Sequence, residues 1–471
     1  NKFTVFNIMK NAMDEQHNVD QKQLQAVFAN AQAGISNFLF LDITTRNDWS
    51  STFAFTPTKN KGYFYYSAGL SAVWNDIVKL PPFISFLRSR ISYARVGNDI
   101  ASYASRPALF TMQTIAGVSR VVLNQRTPYP GVYLEPEDNR SFETGLELRL
   151  FKDRIAADVT FYKNNNYKQY MEVPAPPGSK YTTYYLNMGN IQNQGWEATL
   201  TVMPVRNKAI SWTSTINYSG NKNKVIALSN SNIPGADSSN MFILTDFGVN
   251  MFGSFIQEGG SWGDIYSNKE LMVDDKGRYI IDVNGKLKTH SLSKKVGNPN
   301  PDFTLGWNNS ITYKDFMLSF LIDGRFGGKV MSVTQAVLDW YGVSEASARA
   351  RDKGGVAINA VNENGTPFSG KIDAESYYST IAGRAGIGEM YMYDATNIRL
   401  RELSLSYRIP LKWRWVRNMR AGIVGRNLFF FVLHAPFDPE VSMGTGNGLQ
   451  GVDVFGLPQV RSMGINLKLG F

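Results

Sequence analysis

The sequence has no cysteine, which excludes disulfides, thiolate metal sites and a cysteine nucleophile. Histidine is scarce. His17, His290 and His434 stand far apart, and no pair has the spacing of a metal-binding helix. Long hydrophobic runs are missing too. The longest strictly apolar stretch is Leu428–Leu433, whereas a membrane-crossing helix needs about 20 such residues. Helical membrane spans are therefore excluded. A membrane β-barrel is not, because its strands alternate lipid-facing and water-facing residues and average out to polar. The mean hydropathy of −0.24 is compatible with such an average. G-x-S-x-G, Walker A and paired-histidine motifs are all lacking, so we expect no enzyme, no cofactor and no metal site.

What is present is period-two alternation. Near the C-terminus Met463, Ile465, Leu467 and Leu469 fall on one face, while Ser462, Gly464, Asn466 and Lys468 fall on the other. Phe142, Thr144, Leu146 and Leu148 alternate in the same way with Ser141, Glu143, Gly145 and Glu147. Trp196, Ala198, Leu200 and Val202 do so with Glu197, Thr199 and Thr201. We expect fourteen strands, near 1–10, 20–33, 35–48, 62–76, 84–98, 138–151, 155–172, 193–205, 209–222, 302–313, 315–327, 394–409, 418–432 and 459–471. Their connections alternate in length. Short ones fall at Gly34, 77–83, 152–154, 206–208, Lys314 and 410–417. The longest fall near 99–137, 223–301, 328–393 and 433–458, and Ser332–Ala350 within them reads as a short helix. Short turns at one end and long loops at the other are the habit of an outer-membrane barrel, with periplasmic turns and extracellular loops. The expected fold is therefore an all-β, transmembrane antiparallel barrel wall running through residues 1–471. A lipid-facing sheet edge leaves unpaired backbone groups, so the outermost strands must pair with each other or with further strands.

Several residues are candidates for function. Trp262, Tyr266, Trp340, Tyr341, Tyr377 and Tyr378 lie in the long loops, as a surface for stacking a ligand or docking a partner. Trp413 and Trp415 sit among Arg408, Lys412, Arg414, Arg417 and Arg420 at a short turn, which reads as a membrane-interface girdle. The net charge of +10 is spread along the chain, so no nucleic-acid surface is expected. Phe471 ends the last alternating strand and reads as a barrel-assembly signal. Gly446–Gly451 fits G-x-G-x-x-G but has no following helix, and it reads as a flexible loop.

The sequence also resembles a family. Arg46-Asn47-Asp48-Trp49-Ser50-Ser51, Asn193-Gln194-Gly195-Trp196-Glu197 and Gly297-Asn298-Pro299-Asn300-Pro301-Asp302-Phe303 resemble, in order, motifs of SusC/RagA-type TonB-dependent transporters of Bacteroidetes. Pro136-Glu137 leading to Phe142–Glu147, the block Asp394–Pro410, Gly425-Arg426-Asn427-Leu428 and Phe437-Asp438-Pro439-Glu440 are similar to others. The resemblance covers the C-terminal part of the barrel. It implies about fourteen of 22 strands, with the plug domain, TonB box and early strands outside this chain. It further implies an outer-membrane nutrient importer for oligosaccharides or peptides. A SusD-like surface lipoprotein would serve as its lid, and the TonB complex would drive it through the plug. The acidic loop that many relatives carry before GNPNP has Lys286 at one of its positions, so calcium is not expected there. Two alternatives remain at this point: a self-contained fourteen-stranded porin-like channel, and a soluble extracellular β-rich binding module.

Overall fold

A computed structural model describes residues 21–107, 110–115, 118–123, 126–175, 179–228, 241–245, 250–410, 416, 418–444 and 450–470. The strand expected at 1–10, Trp413, Trp415, Phe471 and most of the glycine-rich loop lie outside the described residues.

Among the described residues, thirteen strands form one wall. They are β1 (Leu24–Ile35), β2 (Leu39–Ser50), β3 (Tyr63–Val73), β4 (Ile84–Asn98), β5 (Glu137–Leu150), β6 (Ile155–Pro174) and β7 (Thr183–Arg206). Then come β8 (Ile210–Ala227), β9 (Phe303–Tyr313), β10 (Phe316–Phe326), β11 (Asn397–Ile409), β12 (Asn418–Leu433) and β13 (Ser462–Gly470). Each pairs antiparallel with the next, and a short parallel strand, Arg126–Pro128, beside β7 brings the sheet to fourteen.

The register turns the sequence alternation into continuous rows. Leu87, Leu148, Ala157, Leu200, Ile216, Trp307, Ile322, Leu400 and Phe429 are successive cross-strand partners from β4 to β12, an apolar row across the wall. One residue along, Arg88, Glu147, Asp158, Thr199, Asn217, Gly306, Asp323 and Arg399 make the neighbouring row, and this row is polar. Adjacent residues in a strand point to opposite faces, so the two rows lie on opposite sides. The polar side is stitched by ion pairs. Arg90 holds both oxygens of Asp158 at 2.7 and 2.8 Å, and Arg88 meets Glu147 at 2.8 Å.

The expected length alternation holds, with two shifts. The β1–β2 turn falls at Ser36-Asn37, both left-handed at φ 49° and 62°, rather than at Gly34. Gly34 stays in the ladder opposite Phe40, and asparagine tolerates the left-handed turn position. The second shift concerns 173–192, the connection between the strands expected at 155–172 and 193–205. There β6 and β7 stay paired up to Pro174 and Thr183. Met171, Val173, Leu186, Met188 and Ile191 of this extension bury against Val225, Leu228 and Ile256, which gives the hairpin a reason to continue above the wall.

Beyond the wall, three long loops fold into one cap. The loop between β8 and β9 supplies a sheet of Met241–Thr245, Phe252–Gln257, Asp264–Leu271 and Thr289–Gly297. The loop between β10 and β11 supplies α1 (Val333–Trp340), α2 (Glu345–Asp352) and α3 (Ala374–Ile381). Ser332–Ala350 thus holds two helices instead of one. Gly342 at φ +69° follows α1, and Ser344 restarts the chain by accepting from the Ser347 amide at 3.1 Å. The loops are tied by strands as well. Tyr279–Ile281 pairs with Ala360–Asn362, and Lys329–Ser332 joins Met392–Asp394 and Val452–Asp453. Their shared core takes Met251, Phe252 and Ile265 from the first loop, Met331, Val333, Ala336 and Ile387 from the second, and Val452 from the loop after β12.

Candidate functional site

The cap separates the six candidate aromatics. Tyr266 is only 5% exposed and its hydroxyl donates to Gln257 Oε1 at 3.1 Å. Its ring meets Phe255 edge-on, so it packs the loop sheet and offers no stacking surface. Tyr377 and Tyr378 pack against the shared core and edge-on against each other at 5.1 Å. Trp262 packs on the apolar end of the β6–β7 hairpin. Trp340 and Tyr341 are different. They are 50% and 67% exposed and stand edge-to-face at 4.8 Å at the end of α1, with Val343 exposed beside them. The positions predicted as a single surface therefore resolve into one buried strut, three partly buried ones and one exposed aromatic pair.

Burial sets the tyrosine chemistry of the cap. The Tyr391 hydroxyl donates to Asp339 Oδ2 at 2.9 Å. Its burial, with the Asp339 charge beside it, pushes its pKa far above the usual tyrosine value. Burial pushes Tyr393 up to about 12, and raises Tyr266, Tyr377 and Tyr378 as well.

Two polar constellations, not singled out from the sequence, lie where cap meets wall. In the first, Arg399 is 2% exposed and pairs with Asp323 of β10 at 3.3 Å and with Asp438 at 3.5 Å. It also contacts Glu440. Arg401 binds Asp323 at 2.5 Å and Glu440 at 2.8 Å. Two of the motifs, the Asp394–Pro410 block and Phe437-Asp438-Pro439-Glu440, are thus ion-pair partners. Burial raises the Asp438 pKa, and the two guanidiniums oppose that rise. Asp323 and Glu440 of this cluster border a cavity of about 620 Å³ that reaches Asn300 and Gln450.

The second constellation continues from there. A cavity of about 340 Å³ shares Asn300 and Gln450 with the first and runs along the polar face of β6, β7 and β8, where Asn166, Asn193, Asn221 and Asn223 meet Trp262. The GNPNP segment holds the loop over it. Asn298 Nδ2 donates to buried Asp264 at 2.7 Å, Lys295 pairs with the same carboxylate at 2.6 Å, and Asn300 Nδ2 reaches the Trp262 carbonyl at 3.3 Å. The asparagines were legible as residues in Asn164-Asn165-Asn166 and Asn190–Asn193, but only the cross-strand register brings them together. The loop before GNPNP spends Asp282 on its own turn, where Oδ1 accepts from the Asn284 and Lys286 amides at 2.9 and 2.8 Å.

Residues 2–320 match the family model described as TonB dependent receptor-like, beta-barrel. The chain belongs to this family. It is a TonB-dependent receptor-like barrel of the outer membrane, the apolar row facing lipid and the polar row facing the lumen. It is 24% identical over 483 residues to TonB-dependent receptor P3 of Formosa agariphila, covering 96% of this chain and 46% of that protein. It is 21% identical over 355 residues to TonB-dependent receptor SusC of Bacteroides thetaiotaomicron, covering 72% of this chain and 32% of that protein. Among solved structures, the RagAB peptide importer in its closed-closed state superposes with a TM-score of 0.73 at 19% identity, covering 98% of this chain and 49% of that one. The chain spans about half the length, or less, of the curated relatives it matches. In this receptor barrel the cap and the two cavities occupy the end of the wall that carries the long loops, opposite the short turns.

Proposed function

We propose that this chain forms the wall and the extracellular cap of a SusC/RagA-like importer. A SusD-like surface lipoprotein closes over the cap, and oligosaccharide or peptide cargo passes from lid to lumen. A plug region outside these residues couples transport to the TonB complex. The wall contributes containment and no covalent chemistry. The edges of β1 and β13 pair with further barrel strands in the assembled protein, because unpaired backbone groups facing lipid cost several kcal/mol each. The observation that carries the proposal is the shared core of three loops, which builds a firm platform on one end of the wall and leaves Trp340 and Tyr341 outside it.

The exposed pair is the lid contact in this reading. Trp and Tyr are enriched among the few residues that dominate docking energetics, where truncation costs more than about 1 kcal/mol of binding. Replacing Trp340 and Tyr341 together by Ala is expected to lower co-purification of the lipoprotein by tenfold or more, on the order of 1.4 kcal/mol. The unfolding temperature should stay unchanged, since both side chains are exposed. Undiminished co-purification from the double variant would remove the lid assignment.

A further inference from the structure

The lipid-facing side of the wall changes character toward the long-loop end. Thr144, Phe161, Trp196 and Gly220 form one cross-strand row, in which the Phe161 and Trp196 rings meet at 5.0 Å. The next row on that face is Phe142, Lys163, Gln194 and Lys222. The one after it is Arg140, Asn165, Gln192 and Lys224, with Arg95 of β4 opposite Arg140. Each of these residues lies an even number of positions along its strand from the outward apolar row, so all share its face. Arg95, Arg140, Lys163, Lys222 and Lys224 are all exposed. In sequence these cations are scattered, and only the register gathers them into a belt.

The belt stands at a definite height. The outer face of β8 runs Trp212, Ser214, Ile216, Tyr218, Gly220 and Lys222 from its short-turn end. A tilted strand crosses the apolar core of a bilayer in about 9–11 residues, and Lys222 follows Trp212 by about ten. Trp212 thus marks one membrane interface and Lys222 the other, level with the headgroups of the outer leaflet.

The carboxylates at this end are already taken. Asp138 accepts from Arg95 Nε and Nη2 at 2.8 and 2.9 Å and from Arg140 Nη2 at 2.8 Å, and Glu135 pairs with Lys168. Lys163, Lys222 and Lys224 form no ion pair among the described residues. Strand spacing puts Lys163 and Lys222, on either side of Gln194, on the order of 10 Å apart at the backbone. Like charges this close at the margin of an apolar layer repel, and an anion between them removes the repulsion. The lysines are interleaved with amides. Asn165 Nδ2 donates to Asn190 Oδ1 at 2.9 Å, and Gln192 Nε2 donates to Asn165 Oδ1 at 3.3 Å. Lysine serves phosphate as a point charge, and primary amides offer hydroxyls both a donor and an acceptor. A phosphorylated sugar uses both at once.

We propose that this belt docks the phosphorylated sugar headgroup of an outer-leaflet glycolipid, lipopolysaccharide. Phosphates lie among Lys163, Lys222 and Lys224, sugar hydroxyls meet Gln192 and Gln194, and acyl chains lie against Phe161 and Trp196. The assignment rests on the barrel and its orientation, and it is independent of cargo and lid.

The test uses the full-length protein purified from the outer membrane in detergent. Lipopolysaccharide retained through gel filtration is measured by its hydroxy fatty acids. Delipidated protein is then offered lipopolysaccharide or phosphatidylglycerol in separate titrations. The variant K163Q/K222Q/K224Q is expected to retain at least tenfold less lipopolysaccharide than wild type. Its heat-modifiable migration should be that of wild type, because the three side chains are exposed. K163R/K222R/K224R keeps the charges and should keep the glycolipid. So should K79Q/K152Q/K208Q, which alters three lysines of the short turns at the opposite end. Raised salt should strip the glycolipid from wild type, a readout that needs no variant. Equal loss from the short-turn variant would reveal non-specific attraction and overturn the proposal. Unchanged retention in K163Q/K222Q/K224Q overturns it too, as does retention that salt leaves intact or wild type that holds no lipopolysaccharide. Tighter binding of phosphatidylglycerol, or loss of a co-purifying protein in place of lipid, assigns the belt to another partner and overturns it as well.

Discussion

At the scale of single residues, the cap divides its aromatics by where their polar atoms go. Tyr266 and Tyr391 bury their rings and spend their hydroxyls on Gln257 and Asp339, while Trp340 and Tyr341 keep their faces in water. Sequence shows that these residues are aromatic and lie in loops. It does not show which are covered, because each covering surface comes from distant segments: Tyr391 meets Asp339 of α1, and Trp262 meets the β6–β7 hairpin. The buried tyrosines set a pH limit. Tyr393 is pushed up to about 12 and Tyr391 further, against an unperturbed 10.0, so the folded cap resists forming tyrosinate. The unfolded chain ionises these groups from about pH 10 upward. Their stabilisation is thus complete below about pH 10 and is lost as pH rises through about 12. Urea unfolding at stepped pH, read alongside tyrosinate absorbance, should show stability falling across that window. A flat profile would mean that these hydroxyls are not buried as described.

At the scale of elements, the wall was the legible part and the cap was not. A strand's two faces are fixed by neighbours two residues apart, so alternation at Leu146–Leu148 or Trp196–Leu200 is local information. The two departures from that pattern have identifiable causes. Gly34 invites a turn but pairs with Phe40, and the β6–β7 hairpin continues because its far end finds an apolar surface on other loops. The cap core joins residues from three loops up to about two hundred positions apart, and no periodicity within one loop announces that. The strap between Arg399, Asp323, Asp438 and Glu440 belongs to the same level. It pins the loop after β12 to β10 and β11, and it brings the two motifs together in space. Replacing Arg399 by Met leaves three carboxylates facing only Arg401. The expected cost is about 3 kcal/mol, the lower part of the range for breaking a buried pair, since the acids keep some solvent. Limited proteolysis should then cut within 434–461 faster than in wild type, and unchanged protection would show that the ion pairs do not hold this loop.

At the scale of the whole molecule, an outward apolar row spanning nine strands, an inward polar row and a cap on one end form the wall and roof of a receptor-like barrel, and the proposed importer uses both. The porin-like alternative keeps the same rows but needs a permanently open lumen, whereas the soluble alternative has no use for the apolar row. The most direct test of the central claim is the ion conductance of the full-length protein, purified from the outer membrane and inserted into a planar bilayer. A plugged, TonB-gated importer is expected to insert and stay electrically silent until the plug is loosened by denaturant. A large steady conductance on insertion, without any such treatment, would contradict the importer and make this wall part of an open channel.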